Sequence, residues 1–281
     1  MPLDQIDVDQ LPSGTEEAEM SFMEHLEVLR WHIVRSLVAV VVVAVVVFIA
    51  KDVVFDYIIF APKYDWFLPY QAMCGLSEAM GMGQQLCITP PDFDIIATVF
   101  GERFIVHIKV SIILGIIVAF PYIFYEFWKF ISPGLYEEEQ KAARGIVFVC
   151  STLFMAGILF GYFVISPFAV TFLAGYEIAD VRSTTSLSSF VTYMTMFTLP
   201  AGLIFELPVV VYLFSKLGLI GPEFLRTYRK HAFIIILALS AMITPPDIVT
   251  QFLISVPLYI LYEVSIRISK RVVAKREAEL A

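Results

Sequence analysis

The sequence predicts an all-α membrane protein built on six transmembrane helices. Three observations carry that prediction. Of 281 residues, 59% are apolar and only 16% charged, whereas an ordinary soluble domain has about 45–50% apolar and about 25% charged residues; the mean hydropathy is +0.80. Apolar runs of spanning length, roughly 20 residues, recur along the chain. The basic residues between them fall on alternate loops.

Taken in order, residues 1–20 form an acidic tail (Asp4, Asp7, Asp9, Glu16, Glu17, Glu19). It lacks the basic start and small-residue cleavage site of a signal peptide, so the first apolar run is expected to stay as an anchor. That run, 33–50, contains "VAVVVVAVVV". Such β-branched residues favour strands in water, but in lipid the backbone must satisfy its own hydrogen bonds, and no alternation suggests a barrel. A long loop, 51–103, follows, and then spans over 105–125, 146–165 and 190–214. Two shorter runs, 232–243 and 248–266, flank "TPPD" and complete the six. The expected organisation is one transmembrane domain over 21–270 and a charged tail over 271–281.

Six spans place both termini on one face with the loops after helices two and four. That face collects Arg30, Lys129, Lys141, Arg144, Lys216, Arg226, Arg229, Lys230 and the basic residues from Arg267 onward; the opposite loops hold Lys51, Lys63, Arg103 and Arg182. By the positive-inside rule both termini are expected to be cytoplasmic. The net charge of −8 owes much to the acidic tail and says little about partners. No basic nucleic-acid patch, phosphate loop or internal repeat is present. "GILFG" (Gly157 to Gly161) fits a small-xxx-small helix contact.

Ionisable groups at bilayer depth cost about 2.5–3.5 kcal/mol on insertion scales and usually mark function. Glu206 stands alone in "FTLPAGLIFELPVVVYLF", between Pro200 and Pro208. Each proline removes a backbone donor and frees carbonyls upstream, so the expectation is a polar notch. Lys109 and His107 lie near the start of helix two, where Lys109 can snorkel to the interface. Glu102 precedes them. Asp247 opens helix six, where a carboxylate caps free amides. No second acid at the depth of Glu206, no histidine grouped with a nucleophile and no metal-ligand spacing suggests an enzyme or a metal centre. Cys150 lies inside an apolar run. Cys74 and Cys87, thirteen residues apart in the loop expected on the oxidising side, are candidates for a disulfide.

The segments on the basic face carry a resemblance. "SFMEHLEVLRWHIVRS", "PYIFYEFWKFISPGLYEEEQKAARG", "FGYFVISPFAVTFL", "FELP" and "TPPDIVTQ" occur in that order over about residues 21–270. This string resembles the TatC family, the polytopic core of the twin-arginine protein translocase. The resemblance implies a concave six-helix bundle in the cytoplasmic membrane that binds twin-arginine signal peptides of folded proteins. It implies export driven by the proton gradient, with TatA/TatB-type single-span partners in a multi-copy complex and no cofactor. Position by position, Glu139 matches the family acid of the first cytoplasmic loop, and Arg30 the arginine ending the N-terminal motif. Val28 departs from the pattern, because the family carries glutamate there. Glu27 is adjacent in sequence, and Glu24 lies one turn back on the same face, so either is a candidate to replace it. A guanidinium is planar and binds carboxylates with two parallel hydrogen bonds, which suits such an acid-rich surface. Glu206 matches the family glutamate of helix four, read as contacting a partner helix; Glu102 and Asp247 match family acids too. Short fifth and sixth helices would thin the bilayer locally, where folded cargo crosses.

The alternative is a proton-coupled small-solute transporter using Glu206. Such folds are built from repeats with paired broken helices, and neither is visible in the sequence.

Overall fold

The computed structural model describes residues 22–79, 81, 87, 89–90, 93–131, 143–176, 184–243 and 248–280. Eleven α-helical segments are described. α1 is Phe22–Ile49, α2 is Lys51–Val54, α3 is Leu68–Ala79 and α4 is Glu102–Ile131. α5 (Ala143–Phe160) passes through a π-helical turn, Gly161–Ile165, into α6 (Ser166–Gly175). α7 (Leu187–Phe205) and α8 (Leu207–Lys216) meet at Glu206. α9 is Pro222–Thr227, α10 is Arg229–Ile243 and α11 is Ile248–Leu280.

Five stretches are long and apolar enough to cross a membrane: Leu26–Ile49, Glu102–Ile131, Gly145–Gly175, Leu187–Lys216 and Thr250–Arg276. The protein is therefore a mostly helical, multi-pass membrane protein. α10, with 15 residues, is shorter than that, since a rise of 1.5 Å per residue gives it about 22 Å against a hydrocarbon core of about 30 Å. The expectation of two short terminal helices holds for α10 and is corrected for the last one: α11 runs for 33 residues. Its continuation "RISKRVVAKREAEL" has neither glycine nor proline, and lysine, arginine, alanine and glutamate are all good helix formers. The helix therefore crosses the expected boundary at residue 270.

Contacts between α1 and α4 pair Phe48 with His107, Ala44 with Gly115, and His32 with Glu126, so the two helices run antiparallel. A β-carbon on Gly115 would come within 3.0 Å of Ala44 Cβ and of the Val40 carbonyl oxygen. The "GILFG" element packs α5 on α7 at still closer range: a β-carbon on Gly157 or Gly161 would lie 2.6 Å from the carbonyl oxygen of Ala201 or Phe197. Small residues allow this approach, which brings the backbones into van der Waals contact where lipid supplies no hydrophobic drive. Pro167 has no N–H to donate into the preceding turn, and the wide π turn ends two residues before it.

The principal core joins the π turn and α6 to α7, α10 and α11 through Ile165, Ala169, Phe197, Ala201, Ile236, Ile254 and Leu258. Serines cross-link the same region: Ser215 Oγ donates to Ser269 Oγ at 2.7 Å, joining α8 to α11, and Ser255 Oγ donates to Ser240 Oγ at 3.1 Å, joining α11 to α10.

The loop following α1 is folded rather than extended. Cys74 and Cys87 are disulfide-paired. Phe67 and Tyr70 are buried against Tyr162 and Phe163; Tyr70 donates to the Pro62 carbonyl at 2.9 Å and Tyr162 to that of Ile58 at 2.5 Å. Burial raises the Tyr70 hydroxyl above its usual pKa, so it stays a donor. The loop aromatics thus divide, since Tyr57, Tyr64 and Trp66 are exposed and cluster with one another, as suits a membrane interface. A short parallel ladder, β1 (Asp94–Ile96) with β2 (Thr184–Ser186), ties this loop to the start of α7.

Candidate functional site

Glu206 is the only residue between α7 and α8. Its backbone (φ −76°, ψ −7°) departs from the helical ψ near −42°, and its carbonyl accepts from both Val209 N (2.9 Å) and Val210 N (3.0 Å). Pro208 withholds a donor from the first turn of α8, a position where helices tolerate it. Pro200 sits inside unbroken α7, so the interruption lies at Glu206 itself. The side chain is 9% exposed. Its Oε2 accepts the Cys150 thiol of α5 at 2.6 Å. Its Oε1 is buried without a hydrogen-bond partner among the described residues. A buried acceptor left open this way is costly, and it offers a place for a donor brought by another helix.

Glu102 is used differently. Oε2 accepts from Thr98 N (2.5 Å), Thr98 Oγ1 (3.2 Å) and Val99 N (3.1 Å). Oε1 accepts from Ser188 N at 2.7 Å. One carboxylate thereby holds the chain entering α4 to the first turn of α7, whose N-cap is Ser186, accepting from Ser189 N. Lys109 reaches the same helix, with Nζ donating to Thr192 Oγ1 at 2.8 Å. It bridges two helices, which the snorkelling reading did not foresee. His107 stacks on Phe48 with ring centroids 3.9 Å apart.

On α1, Glu27, Val28 and Arg30 are all exposed. The Glu24 side chain, Glu139 and Asp247 lie outside the described residues.

Sequence reasoning missed a further group at the end of α1 and α4 nearest the N-terminus. His32 Nδ1 meets Glu126 Oε2 at 2.5 Å, and both residues are buried. The Arg35 guanidinium approaches the same oxygen at 3.9 Å, and the Tyr122 hydroxyl hydrogen-bonds the carboxylate. The only sequence signal is a polar residue beside tryptophan or phenylalanine at two helix ends, His32 in "RWHIV" and Glu126 in "FYEFW". Nothing in a single sequence joins positions 94 residues apart. No three His, Cys, Asp or Glu residues converge as a metal site among the described residues.

The profile of the Sec-independent protein translocase protein (TatC) family matches residues 24–257. The chain is 38% identical over 263 residues to the Sec-independent protein translocase protein TatC of Blattabacterium sp. subsp. Periplaneta americana, covering 93% of this chain and 99% of that one. To the TatC protein of Desulforapulum autotrophicum it is 37% identical, covering 93% and 88%. The crystal structure of a twin arginine translocase receptor, TatC, superposes with a TM-score of 0.66 at 31% identity, over 89% of this chain and 99% of that one. The same receptor crystallised in DDM gives a TM-score of 0.68 at 30% identity, over 88% and 100%.

Proposed function

Since the chain belongs to the TatC family, as a membrane component of a protein translocase and not an enzyme, we propose that it is the signal-peptide receptor of a twin-arginine export system. The observation that carries this reading is the family match across nearly the whole transmembrane region, residues 24–257, with near-complete coverage of both partners. In this reading α10 is a sixth span, the bundle is concave, and both termini face the cytoplasm, as the distribution of basic residues favours. The protein then resides in the cytoplasmic membrane.

The acids take distinct roles. Glu24 or Glu27, with Arg30 and Glu139, form the cytoplasmic surface that receives the paired guanidinium groups of the leader through charge-assisted hydrogen bonds. Glu206 receives a polar group from a single-span TatA/TatB-type partner on its open Oε1, within a multi-copy complex. Asp247, in the loop before the last helix on the opposite face, takes the capping role there. Glu102 serves the fold, because both its oxygens are engaged within the chain.

Export of a folded reporter with a twin-arginine leader, in a strain lacking its own TatC protein, tests the reading. The wild-type chain, supplied with its single-span partners, restores export. Changing both leader arginines to lysine abolishes it. Equal export of the two reporters would refute the receptor role.

A further inference from the structure

Beside the buried Glu126 carboxylate a pocket of about 330 Å³ opens, lined by Trp31, Val34, Arg35, Val38, Ala39 and Tyr122. Trp31 is 57% exposed and Tyr122 41% exposed, so an aromatic face on each helix is available to a ligand. The Glu126 side chain is only 5% exposed, yet Arg35, whose side chain is 51% exposed, brings a guanidinium nitrogen within 3.9 Å of it. A guanidinium therefore reaches this carboxylate from the open side of the pocket. His32 holds Oε2 from within the helix pair. Position 28 lies one turn before His32 on the same face of α1, and there the chain carries an apolar Val28.

We propose that Glu126, rather than Glu24 or Glu27, is the acid that receives one arginine of the leader in the role that Val28 leaves vacant, with the other arginine going to the loop surface that carries Glu139. This inference rests on the receptor reading above and names its binding residue. The incoming guanidinium displaces the half-exposed Arg35, stacks between Trp31 and Tyr122, and pairs with Glu126. Guanidinium groups stack on aromatic faces and pair with carboxylates in two-point contacts, whereas an ammonium group does neither as well. The pocket thus selects arginine over lysine. His32 keeps the carboxylate oriented. No proton or covalent transfer is involved.

The test measures binding of a fluorescent twin-arginine peptide and its twin-lysine counterpart to the full-length purified protein. Wild type prefers the arginine peptide by about tenfold or more, the worth of one charge-assisted hydrogen bond. Glu126→Gln narrows that preference by about tenfold, the share of the one arginine it receives, and leaves the part that belongs to the second arginine. A purely structural role would weaken both peptides alike, so a retained wild-type preference in Glu126→Gln overturns the proposal. Should Glu126→Gln fail to fold, Trp31→Leu combined with Tyr122→Phe provides the second arm, since both side chains are partly exposed. A narrowed preference supports the site, and an unchanged one overturns it. If wild type itself shows no preference, the receptor reading falls with it.

Discussion

Glu102 accepts hydrogen bonds on both carboxylate oxygens, whereas Glu206 accepts the Cys150 thiol on Oε2 and leaves Oε1 open among the described residues. Both are acids on apolar helices, and both are buried. The first is surrounded by backbone N–H groups, because the loop amides of Thr98 and Val99 turn back onto it as α4 begins. The Ser188 amide beside it belongs to the first turn of α7, where amides lack intrahelical partners. The second sits where one helix is interrupted for a single residue, against a neighbouring helix that offers it the Cys150 thiol and the Phe154 backbone. The difference teaches that depth in a helix bundle does not reveal what an acid does; the count of satisfied lone pairs does. Glu102 closes the fold, while Glu206 is left with capacity for something outside the chain.

Loss of the Glu102 carboxylate is expected to have the largest effect. Glu102→Ala strands the amides of Thr98, Val99 and Ser188 together, so its melting temperature in detergent is expected to fall further than for any substitution below. Glu102→Gln is intermediate, since its amide keeps an acceptor but turns N–H against N–H. A melt close to wild type for Glu102→Ala would show that Glu102 is no clamp. Next in size is the loop stapled by Cys74 and Cys87. Replacing both by serine removes about 3 kcal/mol in the chain-entropy model for a loop of this length. That loss is confined to the loop, and limited proteolysis with mass spectrometry is expected to show earlier cleavage there while export persists. Gly157→Ala follows, at about 1–3 kcal/mol for overpacking. Its new methyl would lie 2.6 Å from a backbone oxygen on α7, which cannot swing aside as a side chain can. Thermal unfolding that matches wild type would count against so tight a helix contact.

How much of this was legible in the sequence depends on the range of the physics. Spans follow from run length and the need to satisfy the backbone locally, so α1, α4, α5 and α7 were readable, as was the packing role of Gly157 and Gly161. Isolation in an apolar run singled out Glu206. The length of α11 is not legible from hydropathy, which marks only the apolar run 248–266, whereas the charged residues that follow are good helix formers and continue the helix to Leu280. The double engagement of Glu102 depends on Ser188, 86 residues away. The His32–Glu126 pair depends on α1 and α4 lying antiparallel in one register. Such pairings are tertiary facts, and each partner alone looks like an ordinary polar residue at a helix end. The break at Glu206 was expected to involve both prolines, but Pro200 is accommodated within α7 and only Pro208 lies at the interruption.

The smallest effect on stability is expected at Glu206. Glu206→Gln keeps an oxygen to accept the Cys150 thiol and removes only a carboxyl group whose second oxygen bonds nothing among the described residues, so its unfolding free energy is expected to stay within about 1 kcal/mol of wild type. Export should respond quite differently. In the proposed assembly an amide at this position presents a donor where the partner's donor arrives, and the mismatch leaves two polar groups facing each other at bilayer depth. Reporter export is therefore expected to drop strongly while the melting curve hardly moves, the reverse of the loop disulfide, where stability falls and export persists. Co-purification of a tagged single-span partner separates the causes: loss of the partner from Glu206→Gln, with retention in the disulfide variant, assigns the open oxygen to assembly. If export and co-purification both match wild type, the unpaired Oε1 is a tolerated defect of packing, and the contrast with Glu102 loses its functional meaning.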